Sequence, residues 1–409
     1  MTKKIDRREF LKSSTVGGLG LIAGAKGVGF IAPRFAKAEE PVKILLGTSF
    51  SGAYAECGLY TSRGIHTAVR LFGGQVLGRP IQIIERDTPN PAEGVRKARE
   101  AVEKLGVKFL IISPSSSTVL AVSEYAAKKG VILLAHAGSD KITGSACNKF
   151  TFRWQVPTWG AVREVVPRII EEYKANTFYT ITPKYVFGED LLRNTKEVLE
   201  QRGKKLLGNS YHPLGNAEYS SHLAKAMATK ADCVLFLNFG GDTVNALKQA
   251  VNFGLKKVSR IACVWGSGIT QMKAIGAKAM EDVIWGLQYF YKIDTPKNKE
   301  FVKAFKEEYG EVPPYIAASA YAGMITMLEC IERAGTTDPK KVIGAWEDYE
   351  YDGITGREKW RACDHQLIKN YFSVKCKGPK AMKSPEDFGD IIGYSKNFLP
   401  CEETGCKMS

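Results

Sequence analysis

Residues 107–140 read V-K-F-L-I-I-S-P-S-S-S-T-V-L-A-V-S-E-Y-A-A-K-K-G-V-I-L-L-A-H-A-G-S-D. The run Phe109 to Ile112 is apolar throughout and short, the pattern of a strand buried on both faces. A hydroxyl cluster, Ser113 to Thr118, follows where the chain must turn. Val119, Val122, Tyr125 and Ala126 then share one helical face, and Gly130 stops the helix. A second buried strand, Val131 to Ala135, ends in a small polar loop, His136 to Asp140. The stretch is a β-α-β unit that delivers small polar groups to one sheet edge.

Ligands of open parallel sheets bind outside the carboxyl ends of the strands. Ser115, Ser116 and Ser117 stand at the expected helix start, where free N–H groups and the helix dipole favour an anion. One serine there is explained as an N-cap. Three serines and a threonine exceed what a cap requires, so the cluster is read as a site for a ligand carboxylate or carbonyl.

Outward from this unit the same alternation continues. Towards the N-terminus, strands are expected at 43–47 and 81–85 and helices at 58–72 and 92–104, with polar turns at strand ends. Phe152 to Gly160 reads as a crossing into a second β-α series. Its strands are expected at 178–181, 206–211, 233–237, 261–264 and 283–287, with helices at 186–201, 220–229 and 241–254. Near residue 288 the chain is expected to return to the first lobe, with helices at 297–309, 316–334 and 338–347. Asp352-Gly353-Ile354-Thr355-Gly356 is expected to make a third crossing. The fold class is α/β, with two doubly wound parallel sheets. The expected segments are 39–156 and 288–352 for lobe 1, 157–287 for lobe 2, and 353–409 for the crossing, final strands and Cys-containing tail.

A chain of 409 residues can build two such lobes, and 44% hydrophobic and 25% charged residues are ordinary for a globular protein. Of the net charge of +15, residues 1–38 supply +6 through eight Lys/Arg and two Asp/Glu, leaving +9. The remaining lysines form no basic stripe interleaved with aromatics, so nucleic-acid binding is disfavoured. Asp6-Arg7-Arg8-Glu9-Phe10-Leu11-Lys12 is close to the twin-arginine export motif. A Gly-rich apolar region and Ala36-Lys37-Ala38 follow, so residues 1–38 read as a cleaved signal peptide and the destination as the periplasm. Two G-x-G-x-x-A strings, at 18–23 and 27–32, fall inside this segment and imply no dinucleotide site. After it no apolar run is long enough to span a bilayer.

An exported chain can form disulfides, but nine cysteines leave at least one thiol unpaired. Cys233 and Cys263 fall in buried strands. Cys401 with Cys406, and then Cys363 with Cys376, are the expected pairs. No cysteine or histidine spacing matches a metal site, and no cofactor is expected. Ser115 lacks the G-x-S-x-G elbow of hydrolases. His136 reads as a structural histidine, and Asp364-His365 as a locally paired couple. A catalytic role is therefore not expected.

Several strings together resemble the type I periplasmic solute-binding proteins of ABC importers, of the branched-chain amino acid kind. They are Phe50-Ser51-Gly52, the Ser115–Thr118 cluster, Pro213-Leu214-Gly215 with Glu218-Tyr219-Ser220, and Ala320-Tyr321-Ala322 with Ala334-Gly335. Asp352 to Gly356 and Cys363-Asp364-His365-Gln366 complete the set, which covers nearly all of residues 41–375. The resemblance implies two Rossmann-like lobes joined by three hinge crossings, closing over a ligand that is delivered to a membrane permease. It implies that Ser115 holds a carboxylate, that Gly138, Ser139 and Asp140 complete this contact, and that Phe187 and the loop Phe239 to Asp242 close from lobe 2. Relatives carry an acid for the α-ammonium after the strand at 261–264, where this chain has Trp265-Gly266-Ser267. Asp140 and Asp242 are the acids available to replace it, so an amino acid, a carboxylate and an amide all remain open as ligands. The family's usual first-lobe disulfide is absent from the sequence.

The aromatic residues Tyr54, Trp154, Trp159, Tyr185, Phe187, Phe239 and Trp265 fall in or beside strand-end loops. Aromatics with a few placed polar groups suit a small-ligand site, although some are expected to pack the hinge. Ser115 and Ser117 are expected to hold a carboxylate or carbonyl, with Tyr54, Trp159 and Phe187 around the apolar part. A sensor that presents its ligand to a receptor has the same fold and cleft, and the sequence does not separate it from a transporter component.

Overall fold

Buried apolar strands set the frame of the computed structural model, which describes residues 39–408. The first part of the chain runs β1 (Val42–Thr48), α1 (Ala55–Leu71), β2 (Gln75–Val76), β3 (Arg79–Asp87), α2 (Pro91–Leu105), β4 (Phe109–Ile112), α3 (Ser116–Lys129), β5 (Ile132–Ala135) and β6 (Thr151–Arg153). These strands form one sheet in the order β2-β3-β1-β4-β5-β6, parallel except for the β2–β3 hairpin. Every residue of β4 and β5 is buried, as expected of central strands covered on both faces. α3 begins where the Ser115 hydroxyl accepts from Thr118 N–H, and it ends at Gly130, whose φ of 67° suits a residue without a Cβ.

The second lobe runs α4 (Thr158–Tyr173), β7 (Thr177–Pro183), α5 (Val186–Gln201), β8 (Lys205–His212), α6 (Ser220–Thr229), β9 (Cys233–Phe236), α7 (Gly241–Asn252), β10 (Arg260–Gly266), α8 (Ile269–Ile275), α9 (Ala277–Met280) and β11 (Ile284–Leu287). The chain then returns to the first lobe as α10 (Pro296–Tyr309), α11 (Tyr315–Ala334) and α12 (Pro339–Trp346), with α11 packed along α1. Next come β12 (Glu350–Gly353), β13 (Gly356–Trp360) and β14 (Leu367–Ile368), a separate antiparallel sheet. β15 (Tyr371–Cys376) and β16 (Gly389–Ser395) extend the second sheet, whose order is β16-β15-β11-β10-β9-β7-β8.

Two expectations are corrected here. Residues 352–356 are the tip of the β12–β13 hairpin, not a crossing, and the chain enters the second sheet at Tyr371. The Gly-Ile-Thr-Gly string suits a hairpin turn because Gly356 sits at φ 108°. The disulfides are Cys147–Cys406 and Cys363–Cys401, while Cys376 is a free, buried thiol. Cys401 and Cys406 therefore pin the tail to two remote loops and do not close a local loop.

The connections between lobes are stitched to one another. The Gln288 side chain donates to Val156 O and accepts from Val156 N–H, both at 2.9 Å. Lys369 donates to Gln288 O at 2.8 Å, and its ammonium lies 4.1 Å from the centre of the Trp154 ring. Gln366 donates to Gln155 O at 2.8 Å. Trp154 thus packs the hinge.

Candidate functional site

Strand ends from the two lobes meet around a narrow cavity of about 10 Å³. Lobe 1 contributes Pro114, Ala137, Gly138 and Tyr315, and lobe 2 contributes Tyr185, Phe187, Phe239 and Trp265. Pro114 follows β4 and the 137–138 pair follows β5, so the organising β-α-β unit supplies one wall. The Phe187 ring stands edge-on to Trp265, with centroids 5.2 Å apart, and 6.3 Å from Phe239. Gly138 is needed for the close approach: a Cβ there would lie 2.7 Å from Phe187 and 2.8 Å from Trp265. A flat apolar solute matches walls of this kind, because ring faces and edges make most of the contact.

Hydroxyls frame this aromatic box. Tyr54 and Tyr185 share a hydrogen bond of 2.6 Å across the cleft, and the Tyr54 ring lies 5.8 Å from Phe239. Burial pushes both phenols above their ordinary range, so they stay neutral and can act as donor or acceptor. Ser115 is nearly buried at the start of α3, next to the cavity-lining Pro114. The Ser116 hydroxyl accepts from Ser139 N–H at 3.2 Å and so ties the two strand-end loops of lobe 1 together. Ser117 is half-buried and does not line the cavity.

The expected acids stand elsewhere. Asp140 accepts from Thr158 Oγ1 and Trp159 N–H through one oxygen, both at 2.8 Å. Its other oxygen takes Arg193 and Asn194, both at 2.7 Å. Four donors already engage this carboxylate, so Asp140 joins lobe 1 to the start of α4 and the middle of α5. Ser139 donates to Asp190 at 2.5 Å and belongs to the same latch, which buried Arg153 completes through Ser139 O. Burial, with the neighbouring Asp190 charge, pushes the Asp140 carboxyl up. Asp242 accepts from Gly215 N–H at 3.0 Å, and burial raises it to about 6. Neither acid lines the cavity. Trp159 lies under the Arg163 guanidinium, at 3.8 Å, and faces a separate hollow beside Arg361, Leu399 and Thr404.

The sequence did not single out Pro114, Ala137 or Tyr315. Tyr315 opens α11 after Pro313 and Pro314, some 200 residues from the rest of its wall, and no local pattern marks it. Gln155, also missed, is fully buried at the hinge beside the Tyr315 hydroxyl, and its amide atoms make no hydrogen bond of good geometry. His136 is buried against Gly323 and held near pKa 3 by burial, which makes it a neutral core residue. His365 stacks on Phe152, its Nε2 2.9 Å from Glu347, while Asp364 pairs with Arg361.

Comparison with known proteins gives the same architecture. A solved amino acid ABC transporter substrate-binding protein from Pseudomonas fluorescens Pf-5 is 39% identical, with a TM-score of 0.86 over 91% of this chain and 100% of its own. A solute-binding protein from R. palustris, solved in complex with benzoate, shares the fold at 22% identity, with a TM-score of 0.81 over 90% of this chain and 100% of its own. The Pseudomonas aeruginosa leucine-, isoleucine-, valine-, threonine-, and alanine-binding protein is 25% identical over 79% of this chain and 86% of its own. The family profile described as "Periplasmic binding protein" matches residues 41–381, more than half of the sequence, and with the two-lobed fold above it establishes that the chain belongs to this family, as a solute-binding component of ABC transport.

Proposed function

We propose that the solute is a small, mainly apolar carboxylate or amide without an α-ammonium, aromatic rings being favoured. The observation that carries this is the cavity wall: four aromatic side chains of lobe 2 face Tyr315, and no carboxylate lines the space. An α-ammonium in such a box would lose its hydration without gaining a counter-charge. The carboxylate or carbonyl end would go to Ser115 and the first-turn N–H groups of α3, where donors and dipole favour negative charge. The aromatic body would lie among Phe187, Phe239 and Trp265, with Tyr54 and Tyr185 closing over it. Support comes from the benzoate complex of the R. palustris protein, while the name of the P. aeruginosa protein supports the competing amino acid reading. Delivery to an ABC permease, export by the twin-arginine route and residence in the periplasm complete the proposal. The motif at residues 6–12 and the cleavage site at 36–38, which suggest that route, lie outside the described residues.

A thermal-shift series separates the candidates, because a solute that binds only the folded protein raises Tm by mass action. Benzoate and benzamide are expected to raise Tm, whereas leucine and phenylalanine are expected to leave it unchanged. A shift with leucine as large as with benzoate would return the ligand to the amino acids.

A further inference from the structure

Gln155 carries hydrogen-bonding capacity that the fold does not use. It is fully buried, yet neither atom of its side-chain amide has a hydrogen-bond partner among the described residues. Buried amides are almost always paired, because an unpaired one gives up its hydration for nothing. Its backbone, by contrast, is held firmly. Gln366 donates to Gln155 O at 2.8 Å, and Gln288 engages both the N–H and the C=O of the next residue, Val156.

Two contacts bring this residue to the cavity. Trp154 N–H donates to Ala135 O at 3.4 Å and Thr158 N–H to Gly138 O at 3.0 Å, so residues 154–158 run along the loop that supplies the Ala137–Gly138 wall. The Gln155 amide stands beside the hydroxyl of Tyr315, another wall residue, which also has the Trp265 indole as a neighbour. One hydroxyl cannot satisfy an amide that offers two donors and two acceptor sites. The sheet separates this end of the cavity from the carboxylate end. Ser115 follows β4 and Gln155 follows β6, with β5 between them. Two strand spacings are about 10 Å, enough to hold an aromatic ring with a polar group at either end.

Resting on the aromatic carboxylate reading above, we propose that Gln155, with the Tyr315 hydroxyl, is a specificity-determining subsite that selects a solute bearing a ring hydroxyl remote from its carboxylate. A phenol hydroxyl both donates and accepts, so it matches an amide with a free N–H and a free oxygen. A second carboxylate could only accept, and would face the amide oxygen. An unsubstituted ring leaves the amide unpaired in a closed cleft.

Calorimetric titration of the parent protein with benzoate and with ortho-, meta- and para-hydroxybenzoate tests this. The meta or the para isomer is expected to bind about tenfold more tightly than benzoate, the effect of one buried hydrogen bond. The ortho isomer, whose hydroxyl stays beside the carboxylate, is expected to gain nothing. Gln155→Leu should bring the ratio of affinities close to one, and Tyr315→Phe should reduce it less. The ratio is the readout because a variant that merely disturbs the hinge weakens every solute alike. Benzoate bound as tightly as the meta and para isomers would overturn the subsite alone, as would a preference that survives in Gln155→Leu. Failure of all four compounds to bind would overturn the aromatic solute and the subsite together.

Discussion

Tyr185 shows how much a single hydroxyl can contribute. It lines the cavity and reaches Tyr54 across the cleft, so its bond forms when the lobes are close. Tyr185→Phe keeps the ring and removes the bond, a loss of about 1 kcal/mol, or roughly fivefold in solute affinity. Titration of the variant with the solute that shifts Tm most would check it; an unchanged Kd would mean that the pair adds nothing to closure. Lys369 is the other residue with a measurable consequence. Its ammonium is buried at the hinge, where desolvation lowers it to about 7 and the Glu358 charge opposes the change only in part. An unfolded lysine titrates near 10.4. Between these values the unfolded chain holds the extra proton, so this group makes stability rise with pH from about 7 towards 10. The urea midpoint should therefore rise between pH 7 and pH 9, and Lys369→Met should flatten that rise; the same slope in both proteins would refute it. Nothing near Lys369 in sequence announces this. Gln288 and Trp154, its hinge partners, are 81 and 215 positions away.

At the scale of elements, local pattern was a good guide where burial follows period and caps are in sequence. α5 and α6 begin and end where expected, and β4 and β5 fall on the two apolar runs within residues 107–140. It failed where the partner is remote. Cys147 and Cys406 are 259 positions apart, so their pairing is a property of the folded tail. That tail leaves β16 in the second sheet, passes Gly160 at the start of α4, and is held by Arg361, which donates to Leu399 O at 2.7 Å. Its two disulfides then end on the loop before β6 and the loop between β13 and β14, giving the lobes a further covalent tether beside the hinge crossings. Closing so long a loop restricts the unfolded chain, and a native disulfide of this kind typically contributes about 2–4 kcal/mol. Replacing Cys147 and Cys406 by serine together should lower unfolding stability by that order in urea. An unchanged midpoint would show that the tail is held by its other contacts alone.

For the whole molecule, the two-lobed plan was legible because alternating strands and helices leave few topologies, while the assignment of roles within the cleft was less so. Tyr54, Gly138, Tyr185, Phe187, Phe239 and Trp265 gather around or beside one cavity, as strand-end aromatics should. Asp140 looked like a ligand acid because its loop borders the cleft. Its partners Arg193 and Asn194, some 50 positions on, make it part of the latch that holds the lobes together. The same contacts connect closure to function: the latch and the tyrosine pair join the lobes around the cavity, so a solute that binds between the lobes favours the closed arrangement. A crystal structure of the protein grown with benzoate tests this account most directly. It predicts the ring among Phe187, Phe239 and Trp265, with the carboxylate at Ser115 and the start of α3. Benzoate bound elsewhere, with this cavity empty and the lobes apart, would contradict it.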